Sequence, residues 1–179
     1  VDGLRLHVLQ ALARGRTRIR RAGRRLLGRQ RMVVVPLLEP QHTRHALDLA
    51  CQLASDHGAR VLLLAPLHVD WELPLDAHFR AEEAALRSEL ARERALAESY
   101  GVSAEGRIVR SRPGELGRAV AEAAADVAAS LIVVGAPAAS RHGFRRPFSR
   151  DVWSILNEAP SPVMIATGAP ATAGALAVA

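Results

Sequence analysis

The sequence predicts an α/β domain built on a parallel sheet, and three observations carry that prediction. Short, nearly unbroken apolar runs recur at Met32–Leu38, Arg60–Val69, Leu131–Val134 and Val163–Ala166. Such runs suit strands buried on both faces. Segments with helical periodicity separate these runs, and strict strand–helix alternation implies parallel strands joined by right-handed crossovers. Gly and Pro stand at the joints, with Gly58, Gly101 and Gly114 after or between periodic segments and Pro160 and Pro162 before the last run.

The first strand, Met32–Leu38, is β-branched at its centre, and Pro36 falls near its end, where a missing N–H is tolerated. The helix Gln41–His57 presents Ala46, Leu49, Ala50, Leu53 and Ala54 as one stripe, with Gly58 as terminator. His42 and His45 share a helix face without the further ligands a metal needs. After the second strand, Asp70–Ala77 reads as a loop in which Trp71 is expected to be half-buried over the sheet edge. A long helix, His78–Tyr100, carries Glu89 and Glu93 against Arg92 and Arg94 on a solvated face. Ser103–Arg110 is the third strand. Arg112–Gly114 then turns into a helix with Leu116, Ala119, Val120, Ala123, Ala124 and Val127 in register.

The stretch Ser130–Thr167 organises the rest. Leu131–Val134 is a strand that Gly135 is expected to close. A loop, Ala136–Phe148, follows with Arg141, Arg145 and Arg146. Ser149 is placed to cap a short helix whose first turn holds Asp151, and Val163–Ala166 returns as the fifth strand. This sets a loop and a helix N-terminus at the carboxyl end of a parallel strand. Open α/β sheets hold ligands there, and helix N-termini attract phosphate.

This block resembles the closing third of a universal stress protein domain, and the resemblance covers about Arg31–Thr167. The family pattern has a glycine after the fourth strand, another shortly beyond it, and a third beside a final Ser or Thr. Gly135 and Ser149 match the first and last positions. Ala138 and Phe148 stand where the intervening glycines belong. The segment Ser149–Ala166 matches the family's closing helix, Ala-Pro-x-Pro-Val turn and strand.

The resemblance implies a five-stranded sheet of order 3-2-1-4-5 with helices on both faces, a Rossmann-like fold. It also implies an adenine-nucleotide site such as one for ATP, stress-response regulation, and homodimerisation through the last strand. Carried over to this chain, nucleotide would be held by Gly135, Arg141, Arg145 and Ser149. Two departures predict weak or absent ATP binding. The family's first strand ends on a nucleotide-holding aspartate, and here Leu38 occupies that place. Alanine at position 138, where a left-handed glycine is expected, would be strained by roughly 1–2 kcal/mol.

Composition narrows the function classes. The chain of 179 residues contains no lysine, so its 24 basic residues are all arginine. This removes a Walker A lysine, a Schiff-base lysine and the lysine of a phosphorylated receiver. No G-x-S-x-G, H-E-x-x-H, G-x-G-x-x-G or paired cysteine occurs, so the chain reads as non-enzymatic. The lone Cys51 sits among core positions and fits a reducing, cytoplasmic setting.

Charge divides the chain into a basic arm at residues 1–30, a domain at 31–167 and a tail at 168–179 whose small, aperiodic residues predict disorder. Ten arginines against the single acid Asp2 leave residues 1–31 at +9, so the remainder of the +6 chain carries −3. The arm is too arginine-rich throughout for a signal peptide. Two readings of it stay open. One is a solvated leader. The other is a segment drawn to anionic lipid at the inner face of a membrane, as in the universal stress domains that form cytoplasmic tails of amino-acid permeases. Glu72–Ala77 and Glu98–Gly101 resemble that subgroup. Nucleic-acid binding is disfavoured because no aromatic residue is interleaved for stacking.

Overall fold

The computed structural model describes residues 9–10, 32–137 and 148–168. In chain order the elements are β1 (Leu9–Gln10), β2 (Met32–Pro36), α1 (Pro40–His57), β3 (Arg60–His68), α2 (Arg80–Ser99), β4 (Ala104–Ser111), α3 (Leu116–Asp126), β5 (Leu131–Pro137), α4 (Arg150–Glu158) and β6 (Val163–Gly168). All strand pairs are parallel, and the sheet order is β1-β6-β5-β2-β3-β4. The five strands from β2 to β6 thus take the order expected from the family resemblance. Val33 and Val34 of β2 lie directly beside Leu131 and Ile132 of β5.

The apolar strands serve two core layers because successive side chains alternate between faces. Val33, Val35, Val61, Leu63, Leu131 and Val133 face α1 and α2, while Val34, Leu62, Leu64, Ile132 and Val134 face α3 and α4. Cys51 is fully buried in the first layer. Loss of solvation there, helped by the nearby Asp48 carboxylate, pushes its thiol up to about 12.

Local chemistry fixes the helix ends. Pro40 opens α1 at a position that needs no donor, and Gly58 closes it in the left-handed region at φ 60°. The hydroxyl of Ser154 in α4 accepts from the Gly117 N–H, 3.0 Å away, at the start of α3. This cross-helix cap requires close approach, since a β-carbon on Gly117 would overlap the Ser154 carbonyl.

Two expectations are corrected. Gly135 does not end its strand: β5 continues to Pro137, paired with β6 through Gly135↔Ala166 and Ala136↔Thr167. Trp71 does not cover the sheet edge; it is 64% exposed, with the Arg112 guanidinium 5.5 Å from its ring centre. Beside the five expected strands, the two residues of β1 add a short pairing from the basic arm, with Leu9 and Gln10 next to Met164 and Ile165. The expected disorder of the tail concerns residues that, beyond Gly168, lie outside those described.

Candidate functional site

A crevice of about 300 Å³ opens beyond the carboxyl ends of β2 and β3. Its apolar wall is Leu37, Leu38, Pro40, Pro66 and Leu86, and its polar wall is Glu39, His68, Glu89, Ser149 and Asp151. The chain turns out of β2 at this point. The Leu37 N–H still donates to the Leu64 carbonyl at 2.8 Å, which prolongs the β2–β3 pairing by one residue. Leu37 then enters one core layer and Leu38 packs against the other. The first polar side chain to reach the crevice from this strand is therefore Glu39, one residue beyond Leu38 and exposed. Glu39 is engaged locally: its carboxylate lies 3.5 Å from His42 Nε2 and accepts from Gln41 Nε2 at 3.3 Å.

Ser149 stands where its sequence context puts it. It caps α4, and its hydroxyl accepts from the Val152 N–H at 3.4 Å. Asp151 occupies the first turn of the same helix and faces the crevice. The anion-attracting end of α4 is thus already served by a hydroxyl and a carboxylate of the chain itself. Phe148 turns towards the α3–α4 core layer and meets Trp153 edge-on, with ring centres 6.0 Å apart.

Gly135 does not line the crevice. Its bare α-carbon instead accommodates α1, because a β-carbon there would overlap the His42 carbonyl. Arg141 and Arg145, with Arg146 and Ala138, lie outside the described residues. Arg150, just beyond that loop, reaches over the turn at Gly114. Its guanidinium would come within 3.0 Å of a β-carbon on that residue, whose φ is 87°.

Sequence reading missed Pro66, His68, Leu86 and Glu89. Glu89 was expected on the solvated face of its helix and is instead half-buried at the crevice. His68 had a legible signal, since it ends the second strand on the ligand side of the sheet. Its Nδ1 lies 3.4 Å from Ser111 Oγ. Among the described lining residues there are three carboxylates and no arginine. A phosphate oxygen about 4 Å from one such carboxylate would be repelled by about 1–4 kcal/mol.

The universal stress protein family model matches residues 30–167. The chain belongs to the universal stress protein family. Comparison with curated proteins finds no match. Among solved structures, the chain is similar to a universal stress protein from Archaeoglobus fulgidus, at 18% identity and TM-score 0.62 over 76% of this chain and 97% of that one. It is similar to a universal stress family protein from Burkholderia pseudomallei, at 26% identity and TM-score 0.55 over 76% of this chain and 96% of that one. It is also similar to a universal stress family protein from Arabidopsis thaliana solved with AMP bound, at 20% identity and TM-score 0.54 over 79% of this chain and 97% of that one. Among the described residues, no helix is long and apolar enough to cross a membrane.

Proposed function

We propose that this universal stress domain is a non-enzymatic regulatory module of the stress response whose adenine-nucleotide crevice binds ATP weakly or not at all. The observation that carries the reading is the crevice wall. Leu38 is half-buried against a core layer, and Glu39, Glu89 and Asp151 line the same crevice as Ser149. The AMP-bound Arabidopsis relative supports an adenine nucleotide as the ligand class of the fold. The carboxylates act against the phosphates of such a ligand, and most strongly against a triphosphate. Titration calorimetry of the full chain with ATP tests this. Millimolar binding or no measurable heat is expected, and a dissociation constant below about 1 μM overturns the reading.

A second reading is favoured by a separate observation, the +9 charge of residues 1–31. Clustered arginines are drawn to anionic headgroups by about 1 kcal/mol each near the surface. The arm then holds the domain at the inner face of a membrane, as the cytoplasmic tail of a transporter or beside one. Co-sedimentation of the full chain with phosphatidylserine vesicles, lost in neutral vesicles and at high salt, is the expected result. Equal partition into both kinds of vesicle removes this reading. The coding frame upstream of Val1 separates tail from stand-alone protein. Apolar segments of about twenty residues there support a tail, and an in-frame stop codon excludes it.

A further inference from the structure

Among the described residues, three large apolar side chains are exposed: Trp71 at 64%, Leu73 at 43% and Leu75 at 45%. All three fall within five consecutive residues, in the loop between β3 and α2. A single exposed apolar side chain is ordinary on a protein surface, whereas a contiguous group marks a place where another molecule binds. Tryptophan in particular is enriched where interfaces concentrate their binding energy.

The loop is clamped in its shape. The Leu73 N–H donates to the Asp70 carbonyl at 3.1 Å and the Ala77 N–H to the Pro74 carbonyl at 3.0 Å, so the chain makes two successive turns. Arg110 of β4 donates to the Leu75 and Ala77 carbonyls at 2.9 and 2.7 Å. Arg112, just past the same strand, donates to the Asp70 carbonyl and stands over the Trp71 ring. A loop held in this way has little freedom left to lose on binding, which favours affinity. None of its residues lines the crevice described above.

Charge selects the partner. Asp70, Glu72 and Asp76 are interleaved with the apolar residues and are exposed. Arg112 offsets one of these three charges, and Arg110 is already paired with Glu83. Carboxylates around the anchor residues are repelled by anionic lipid headgroups, which disfavours insertion into a membrane. A surface that carries both apolar side chains and cations complements the loop on both counts.

We propose that the loop Asp70–Asp76 is a docking surface for a basic amphipathic segment of a partner protein, in which leucine-like side chains are interspersed with arginine or lysine. Trp71, Leu73 and Leu75 meet its apolar side chains, and Asp70, Glu72 and Asp76 meet its cations.

The test titrates the full chain by calorimetry with a leucine–lysine amphipathic peptide of about five helical turns, and with the same peptide carrying glutamate for lysine. Two double variants are compared, Leu73→Ser/Leu75→Ser and Glu72→Gln/Asp76→Asn. All four positions are exposed, so thermal melting of both variants should match the parent. The parent is expected to bind the lysine peptide and not the glutamate peptide. The leucine variant should lose at least about tenfold in affinity. The charge variant should lose about threefold and show a weaker dependence on salt. In a Trp153→Phe background Trp71 is the sole tryptophan, and its emission should shift to the blue with the lysine peptide and stay unchanged with phosphatidylserine vesicles. The proposal is overturned if the parent does not bind the lysine peptide, if the leucine variant binds it as well as the parent, or if the glutamate peptide binds equally. A blue shift with vesicles and none with the peptide also overturns it and makes the loop a lipid anchor.

Discussion

Gly135 of β5 lies beneath the carbonyl of His42, so close that a β-carbon at 135 would overlap both the carbonyl carbon and its oxygen. The opposing atoms are backbone of a helix whose next turns fill the core, so they cannot rotate away. Gly135→Ala is expected to destabilise by about 3 kcal/mol, the upper end of ordinary overpacking. For a chain of this size that lowers the melting temperature by roughly 2–4 °C per kcal/mol. Calorimetric melting measures it. Gly58→Ala, at a left-handed position with no neighbour within 4 Å, provides the contrast and should cost only about 1 kcal/mol.

The buried thiol gives a pH dependence with a definite sign. In the folded chain Cys51 stays protonated up to about 12, whereas an unfolded cysteine ionises near about 8.5. The stability it contributes is complete below the unfolded value and is lost as pH rises between the two. Denaturant midpoints of the parent should therefore fall from pH 8.5 to pH 10.5 more steeply than those of Cys51→Ala. Native protein should also resist a thiol reagent at pH 8 until denaturant is added.

How much could be read from the sequence follows from the kind of signal each feature leaves. Continuous apolar runs such as Met32–Pro36 and the stripe of α1 carry the sheet and its covering helices, because burial dictates residue type at every position. Ser149 was legible because an N-cap is a local contract between a hydroxyl and the next turn. Trp71 was not legible. Its exposure is set by Arg110 and Arg112, some forty residues away in sequence: Arg110 holds the carbonyls of Leu75 and Ala77, and Arg112 that of Asp70. Glu89 was misread for a related reason. Helical spacing gives its face on α2 but not that the crevice lies against that face. A two-residue strand such as β1 is too short to show any period at all.

The crevice carboxylates lead to a gain-of-binding experiment. Neutralising two of them with Glu39→Gln/Asp151→Asn removes repulsion without changing side-chain size. ATP affinity measured by calorimetry is expected to rise by about tenfold, equivalent to about 1.4 kcal/mol. The same double change should lower stability slightly, by about 0.3–1 kcal/mol, since Asp151 sits in the first turn of α4. Unchanged or weaker binding would show that these carboxylates do not set the affinity.

The most direct test of the weakened crevice is thermal melting of the full chain with and without 1 mM Mg-ATP, a concentration of about a thousand times a micromolar dissociation constant. Weak binding, with a constant near about 1 mM or above, stabilises by at most about 0.4 kcal/mol, so the melting temperature should rise by no more than roughly 2 °C. A rise on the order of 10 °C, corresponding to about 4 kcal/mol from micromolar binding, would contradict the account.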